Sequence, residues 1–159
     1  MQEGAGCDSA IFLSPPAGGC ILVHMEASIS YIDGVRFEAE SRGHRVICDQ
    51  PAGNSGADTG MSPPEFLLVS LGTCAGFYAL QYLKTRSLPT EGLAVRVLAE
   101  KATQPLRLGS FRIEVSVPGL DPRHHEGVLR AVKLCLVHNT LLHPPAIETV
   151  LKTEAGVQK

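Results

Sequence analysis

Cys74, in SPPEFLLVSLGTCAGFYALQYL, and Cys135, in RAVKLCLVHNTLLHPP, are the residues of this chain best suited to chemistry. Each lies in an apolar stretch that reads as helix, and sixty mostly strand-like residues separate them. Two thiols on two helices suit a dithiol redox couple, in which one sulfur meets an oxidant and the other closes a disulfide. Core packing is the competing reading for both, because free cysteine is among the most buried residue types. Gly72, Thr73, Ala75 and Gly76 beside Cys74 are small and leave room for a ligand or a close helix. Cys135 and His138 form a C-x-x-H that could be half of a zinc site, although no second close ligand pair accompanies it. His124, His125 and His143 read as surface or turn residues, and Cys7, Cys20 and Cys48 carry no assigned role.

A redox thiol must ionise. At a reference pKa of about 8.5, only a few per cent is thiolate at pH 7. Lowering that pKa by about two units takes about 2.7 kcal/mol of preferential thiolate stabilisation. The helix dipole is a poor source, since it fades within the first turn and Cys74 lies twelve residues beyond Ser62. An arginine about 4 Å away at an effective dielectric of ~20 offers about 4 kcal/mol before desolvation. Arg36 sits on a strand face that reads as solvated, Arg42 and Arg45 flank a turn, and Arg86 is twelve positions past Cys74. Glu65 precedes Cys74 by nine residues, which at about 100° per residue puts the two on opposite helix faces. Its local task is helix capping, and it could orient an arginine from another strand or another chain.

The elements that must position these groups follow from periodicity and turn signals. Ile29 and Tyr31 alternate with polar neighbours, Asp33-Gly34 signals a hairpin, and Val35, Phe37 and Ala39 alternate in turn. Arg42-Gly43-His44 makes another turn before a third short strand from Arg45 to Cys48. After a loop over 51–60, SPPE forms a capping box that opens a long apolar helix reaching about Leu83. Strands are expected around 95–99 and 111–117, a second helix over 123–138, and a last strand over 146–151. The order βββαββαβ defines an α+β fold, an antiparallel sheet with a buried central helix. That helix is apolar almost all round, so one small sheet leaves part of it uncovered, and a second copy of the chain is the expected cover.

Composition narrows the function. The formal net charge is -2 and charged residues make up 19% of the chain, which removes the basic excess that nucleic acid requires. Aromatics are 5% with no Trp, too few for a base-stacking platform. Five cysteines without a C-x-x-C fit neither a secreted disulfide framework nor a zinc finger, and a reducing cytoplasm is the default compartment. No membrane association is expected. Residues 1–24 lack Lys and Arg and read as a poorly ordered leader, with the domain itself spanning 25–159.

The segment HRVICDQPAGNSGADTGMSPPEFLLVSLGTCAGFYALQYL, followed by RAVKLCLVHNTLLHPPAI, resembles the OsmC/Ohr superfamily, and its broad OsmC-like branch in particular. The joint occurrence of PPE, a G-x-C nine residues after that glutamate, and a late cysteine before NTLLHPP carries the resemblance. It implies an intertwined homodimer with two sites at the subunit interface, and a thiol peroxidase that reduces organic hydroperoxides without cofactor or metal. By the same resemblance Cys74 would be the peroxidatic thiol, Cys135 the resolving one, Glu65 the glutamate that holds an arginine, and Arg36 that arginine. An external dithiol would reduce the resulting disulfide. A non-enzymatic thiol sensor or binding protein of the same fold, and a cysteine-based hydrolase, stay open beside it.

Overall fold

The computed structural model describes residues 25–153, so the expected leader over 1–24, with Cys7 and Cys20, lies outside the described residues. The fold is α+β. Strands β1 (Ser28–Asp33), β2 (Arg36–Ser41) and β3 (His44–Cys48) form one antiparallel sheet in that order. Helix α1 (Pro63–Lys84) follows, then a second antiparallel pair, β4 (Ala94–Thr103) and β5 (Leu106–Ser116), and helices α2 (His125–Val132) and α3 (Leu136–Leu142).

The first sheet is built by its turns. Asp33-Gly34 closes β1 on β2, and Arg42 and Gly43, both with positive φ (53° and 81°), close β2 on β3. The αL conformation at two successive turn positions matches the right-handed twist of the flanking strands. Cys48 of β3 bridges Met61 just before α1. The loop between them is organised by Asp49, which is fully buried. Its Oδ1 accepts from the Gln50 N–H at 2.7 Å. Its Oδ2 accepts from the N–H groups of Ala57 (3.2 Å) and Thr59 (2.9 Å) and from Thr59 Oγ1 (2.7 Å). These bonds, led by those from Thr59, lower the Asp49 pKa to about 2.

Helix α1 begins as its sequence dictates. Ser62 is the N-cap, prolines occupy the first two helical positions, and Glu65 completes a reciprocal capping box. Leu71, Ala75, Ala79 and Leu83 recur every four residues, and all are buried. With Val128 and Val132 of α2, the last three of these form the core, against which Val95 of β4 and Ile113, Val115 and Val117 on or beside β5 pack. Gly72 and Gly76 face β4. A Cβ at Gly72 would meet Val97 Cγ2 at 3.0 Å, and one at Gly76 would meet Val95 Cγ2 at 3.4 Å. The small residues next to Cys74 thus let a strand approach the helix.

By length and mean hydropathy (1.5) α1 would qualify as a membrane span, which the sequence reading did not credit. One stripe of α1, Leu71, Ala75, Ala79 and Leu83, is buried against the rest of the fold. The opposite face of α1 carries Val69 and Phe77, both exposed, the latter at 55%. A groove of about 750 Å³ runs along it, between α1 and β4.

The structure corrects the sequence reading in three places. The sheet is divided into a three-stranded and a two-stranded part. The second helix does not run continuously over 123–138; it breaks after Val132 and restarts at Leu136. Residues 146–151 form no strand: no strand edge of the described residues pairs with them, and Ile147 and Leu151 are 89% and 87% exposed. A segment of alternating apolar residues becomes a strand only when a neighbour takes its backbone hydrogen bonds.

Candidate functional site

Cys74 lies near the middle of α1, half-buried, with a free thiol. Cys135 is also a free thiol and is fully buried. It does not sit on a helical stripe, as its sequence context suggested. It is the N-cap of α3, with extended backbone (φ −56°, ψ 127°), and its Sγ accepts the His138 backbone N–H at 3.4 Å. Sulfur here does what a serine or aspartate oxygen does at most helix starts. Helix α3 packs on α1, and the Cys135 sulfur lies close enough to Cys74 for the two thiols to interact. Burial first, then the hydrogen bond with Cys74, push the Cys135 thiol up, while the N–H groups of His138 and Val137 oppose the rise. The fold brings together two thiols that stand sixty residues apart in the chain.

Arg36 and Glu65 are not gathered to these sulfurs within one chain. Arg36 Nε donates to Asp33 Oδ1 at 2.7 Å, and a second bond joins Nη2 to Oδ2 across the β1–β2 turn. That hydrogen bond lowers the Asp33 pKa and raises that of Arg36. Glu65 Oε2 accepts from both the backbone N–H and the hydroxyl of Ser62, each at 2.7 Å. These bonds, the hydroxyl's first, hold the Glu65 carboxyl below its usual range. Arg45 bridges Glu38 and Glu40 on the neighbouring strand. Among the described residues, no guanidinium is hydrogen-bonded to Cys74 or Cys135.

Near the start of α1, an apolar hollow of about 380 Å³ is lined by Ile29, Phe37, Ala39, Val46, Cys48, Pro63 and Phe66. It joins the inner face of the first sheet to the beginning of the thiol-bearing helix. Sequence reasoning passed over Asp49, whose signal is an acid at a strand end followed by a loop rich in Gly, Asn and Asp. It also gave His138 no more than a metal reading. Among the described residues, no three potential ligands cluster to hold a metal.

Residues 56–150 match the sequence pattern of the OsmC-like protein family, and the chain belongs to that family. None of the curated proteins matches it. Its fold is shared with solved structures of low identity. A Psychrobacter arcticus protein named for osmotic stress and detoxification is 20% identical, with a TM-score of 0.67 over 76% of this chain and 91% of its own. An OsmC-like protein from Mycoplasma pneumoniae is 19% identical, with a TM-score of 0.65 over 77% and 89%. An organic hydroperoxide resistance protein, OsmC, from Legionella pneumophila is 14% identical, with a TM-score of 0.56 over 77% and 91%.

Proposed function

We propose that this protein is a cysteine-based peroxidase that reduces organic hydroperoxides to alcohols. The observation that carries the proposal is the contact between the free thiols of Cys74 and Cys135 at the junction of α1 and α3. The half-buried Cys74 thiolate attacks the distal peroxide oxygen, so that the O–O bond breaks, the alkoxide leaves as alcohol, and the sulfur becomes a sulfenic acid. The Cys135 sulfur then displaces hydroxide from Cys74, which gives a disulfide and water. An external dithiol returns both thiols by exchange. The apolar residues near Cys74 along α1, Leu71, Phe77 and Tyr78, suit an alkyl or lipid hydroperoxide, and the name of the Legionella pneumophila relative points the same way. Free thiols and a dithiol reductant fit a reducing compartment such as the cytoplasm.

The thiolate needs a positive charge, and no guanidinium of its own chain bonds to it. A homodimer supplies one if the β1–β2 hairpin of a second copy lies over the open face of α1 and brings Arg36 to Cys74 with Glu65 as its guide. The Asp33 pair is exposed, and such pairs contribute little, so Arg36 can exchange partners.

The test is stopped-flow reduction of cumene hydroperoxide with a dithiol, alongside sedimentation to count subunits. Sustained turnover in a dimer, lost in Cys74→Ser and halted after one oxidation in Cys135→Ser, is the expected result. Oxidation without turnover would make the protein a thiol sensor and overturn the peroxidase reading.

A further inference from the structure

Closing the disulfide poses a proton problem at Cys135. Attack on a sulfenic acid requires thiolate, and the departing hydroxide requires a proton. Cys135 is fully buried, and that burial disfavours its ionised form. His138 is the third residue of α3, the position from which the side chain of a capping box reaches back to the N-cap. Its backbone N–H already donates to Cys135 Sγ at 3.4 Å. Its ring Nδ1 is sealed from solvent and has no hydrogen-bond partner among the described residues. A buried polar atom left unpaired calls for an explanation. The ring borders a cavity of about 390 Å³ whose other walls include Leu71, Phe111, Ile113, Leu141 and Leu142, so it has room to turn. Among the described residues, no charged side chain lines this cavity. Arg112 and Glu114 of β5 pair with each other at 3.0 Å and lie outside its lining. Beside His138 itself, Cys74 is the titratable group that acts on Cys135.

The geometry points to His138 as the general base that takes the Cys135 proton during disulfide closure and returns it to the leaving hydroxide. The neutral ring, protonated at Nε2, accepts the Sγ proton at Nδ1. The freed sulfur pair bonds to the Cys74 sulfur, the S–O bond breaks, and hydroxide leaves with the imidazolium proton as water. One sulfenic acid and one thiol give one disulfide and one water, with the imidazole neutral again. The oxidant in this sequence rests on the peroxidase reading; the proton transfer from Cys135 does not.

The test therefore has one arm without peroxide. In full-length protein with Cys7, Cys20 and Cys48 changed to Ser, Ellman's reagent releases a first thionitrobenzoate on attack by Cys74. A second release, independent of reagent concentration, follows as Cys135 closes the disulfide. The second phase should show an inflection with pH, because a base other than hydroxide takes the Cys135 proton. His138→Gln should slow it about a hundredfold and remove the inflection. In the peroxide arm, His138→Gln should accumulate a Cys74 sulfenic acid that dimedone traps. An unchanged rate and pH profile in His138→Gln overturns the assignment. If that variant does not fold, wild type decides, because closure that rises tenfold per pH unit without a break also overturns it. A normal Ellman arm with no reaction toward hydroperoxide refutes the peroxidase reading and leaves His138 standing.

Discussion

Replacing Cys135 separates its two roles, as helix cap and as redox thiol. Its sulfur is fully buried and accepts the His138 N–H at 3.4 Å. Alanine removes both features. Loss of an N-cap costs about 0.5–2 kcal/mol, and deleting one buried heavy atom adds about 1 kcal/mol, on the scale of Ile→Val. The sum is about 2 kcal/mol, which for a domain of this size lowers Tm by about 4–8 °C. Serine keeps an acceptor at the cap and a similar shape, so Cys135→Ser should lose less than about 1 kcal/mol. Thermal melts of the reduced proteins at one fixed concentration measure the difference. Wild type above Ser above Ala is the expected order. If Ala melts with wild type, or Ser melts below Ala, the sulfur is only a packed hydrophobe and the cap assignment fails. Both variants should lack the Cys74–Cys135 disulfide after oxidation, so the melts vary while the redox defect stays constant.

Three further outcomes follow from local geometry. The Asp49 pKa of about 2 lies below the unfolded value of about 3.9. Its contribution is therefore complete above about pH 4 and is lost as pH falls through 2, so the urea midpoints of wild type and Asp49→Asn should differ at pH 7 and converge toward pH 2. Gly127 has no room for a side chain, since a Cβ there would collide with Tyr82 Oη, itself 3.2 Å from His124 Nδ1. Gly127→Ala must push that ring aside and should cost about 1–3 kcal/mol in melts, and unchanged stability would contradict the contact. Gly76→Ala adds a methyl at ordinary distance from Val95 and gains helix propensity, so its Tm should hold or rise, whereas Gly72→Ala, 3.0 Å from Val97, should melt lower than Gly76→Ala.

The parts of the fold that were legible in sequence are those with local chemical signals. SPPE marked the start of α1 to the residue, and Asp33-Gly34 and Arg42-Gly43 marked the turns of the first sheet. The β4–β5 hairpin was seen only as two shorter strands. Its tip turns at Gln104–Pro105 with one proline as signal, and the polar residues near it break the alternation. The break before α3 left no trace because it contains neither glycine nor proline, and cysteine is outside the usual capping set. Periodicity placed Cys135 on the inward side, and tertiary structure then made it a cap.

The site divides along the same line. A thiol pair can be guessed from two cysteines in apolar helices, because burial of both stripes in one core brings the helices together. An activating charge cannot be read that way, since arginines look alike on any solvated strand. The structure sharpens this contrast. Inside the chain, Asp33 occupies Arg36, Glu38 and Glu40 occupy Arg45, and Ser62 occupies one oxygen of Glu65. The apolar surface is unevenly satisfied: Leu71, Ala75, Ala79 and Leu83 are covered, while Val69 and Phe77 on α1 and Ile29, Tyr31 and Phe37 on the first sheet remain exposed. Exposed apolar area of this extent on both the thiol-bearing helix and the arginine-bearing hairpin is costly in water. Covering both with a second copy would remove that cost and could supply the missing charge in the same step, which is why subunit count and peroxidase activity belong in one experiment.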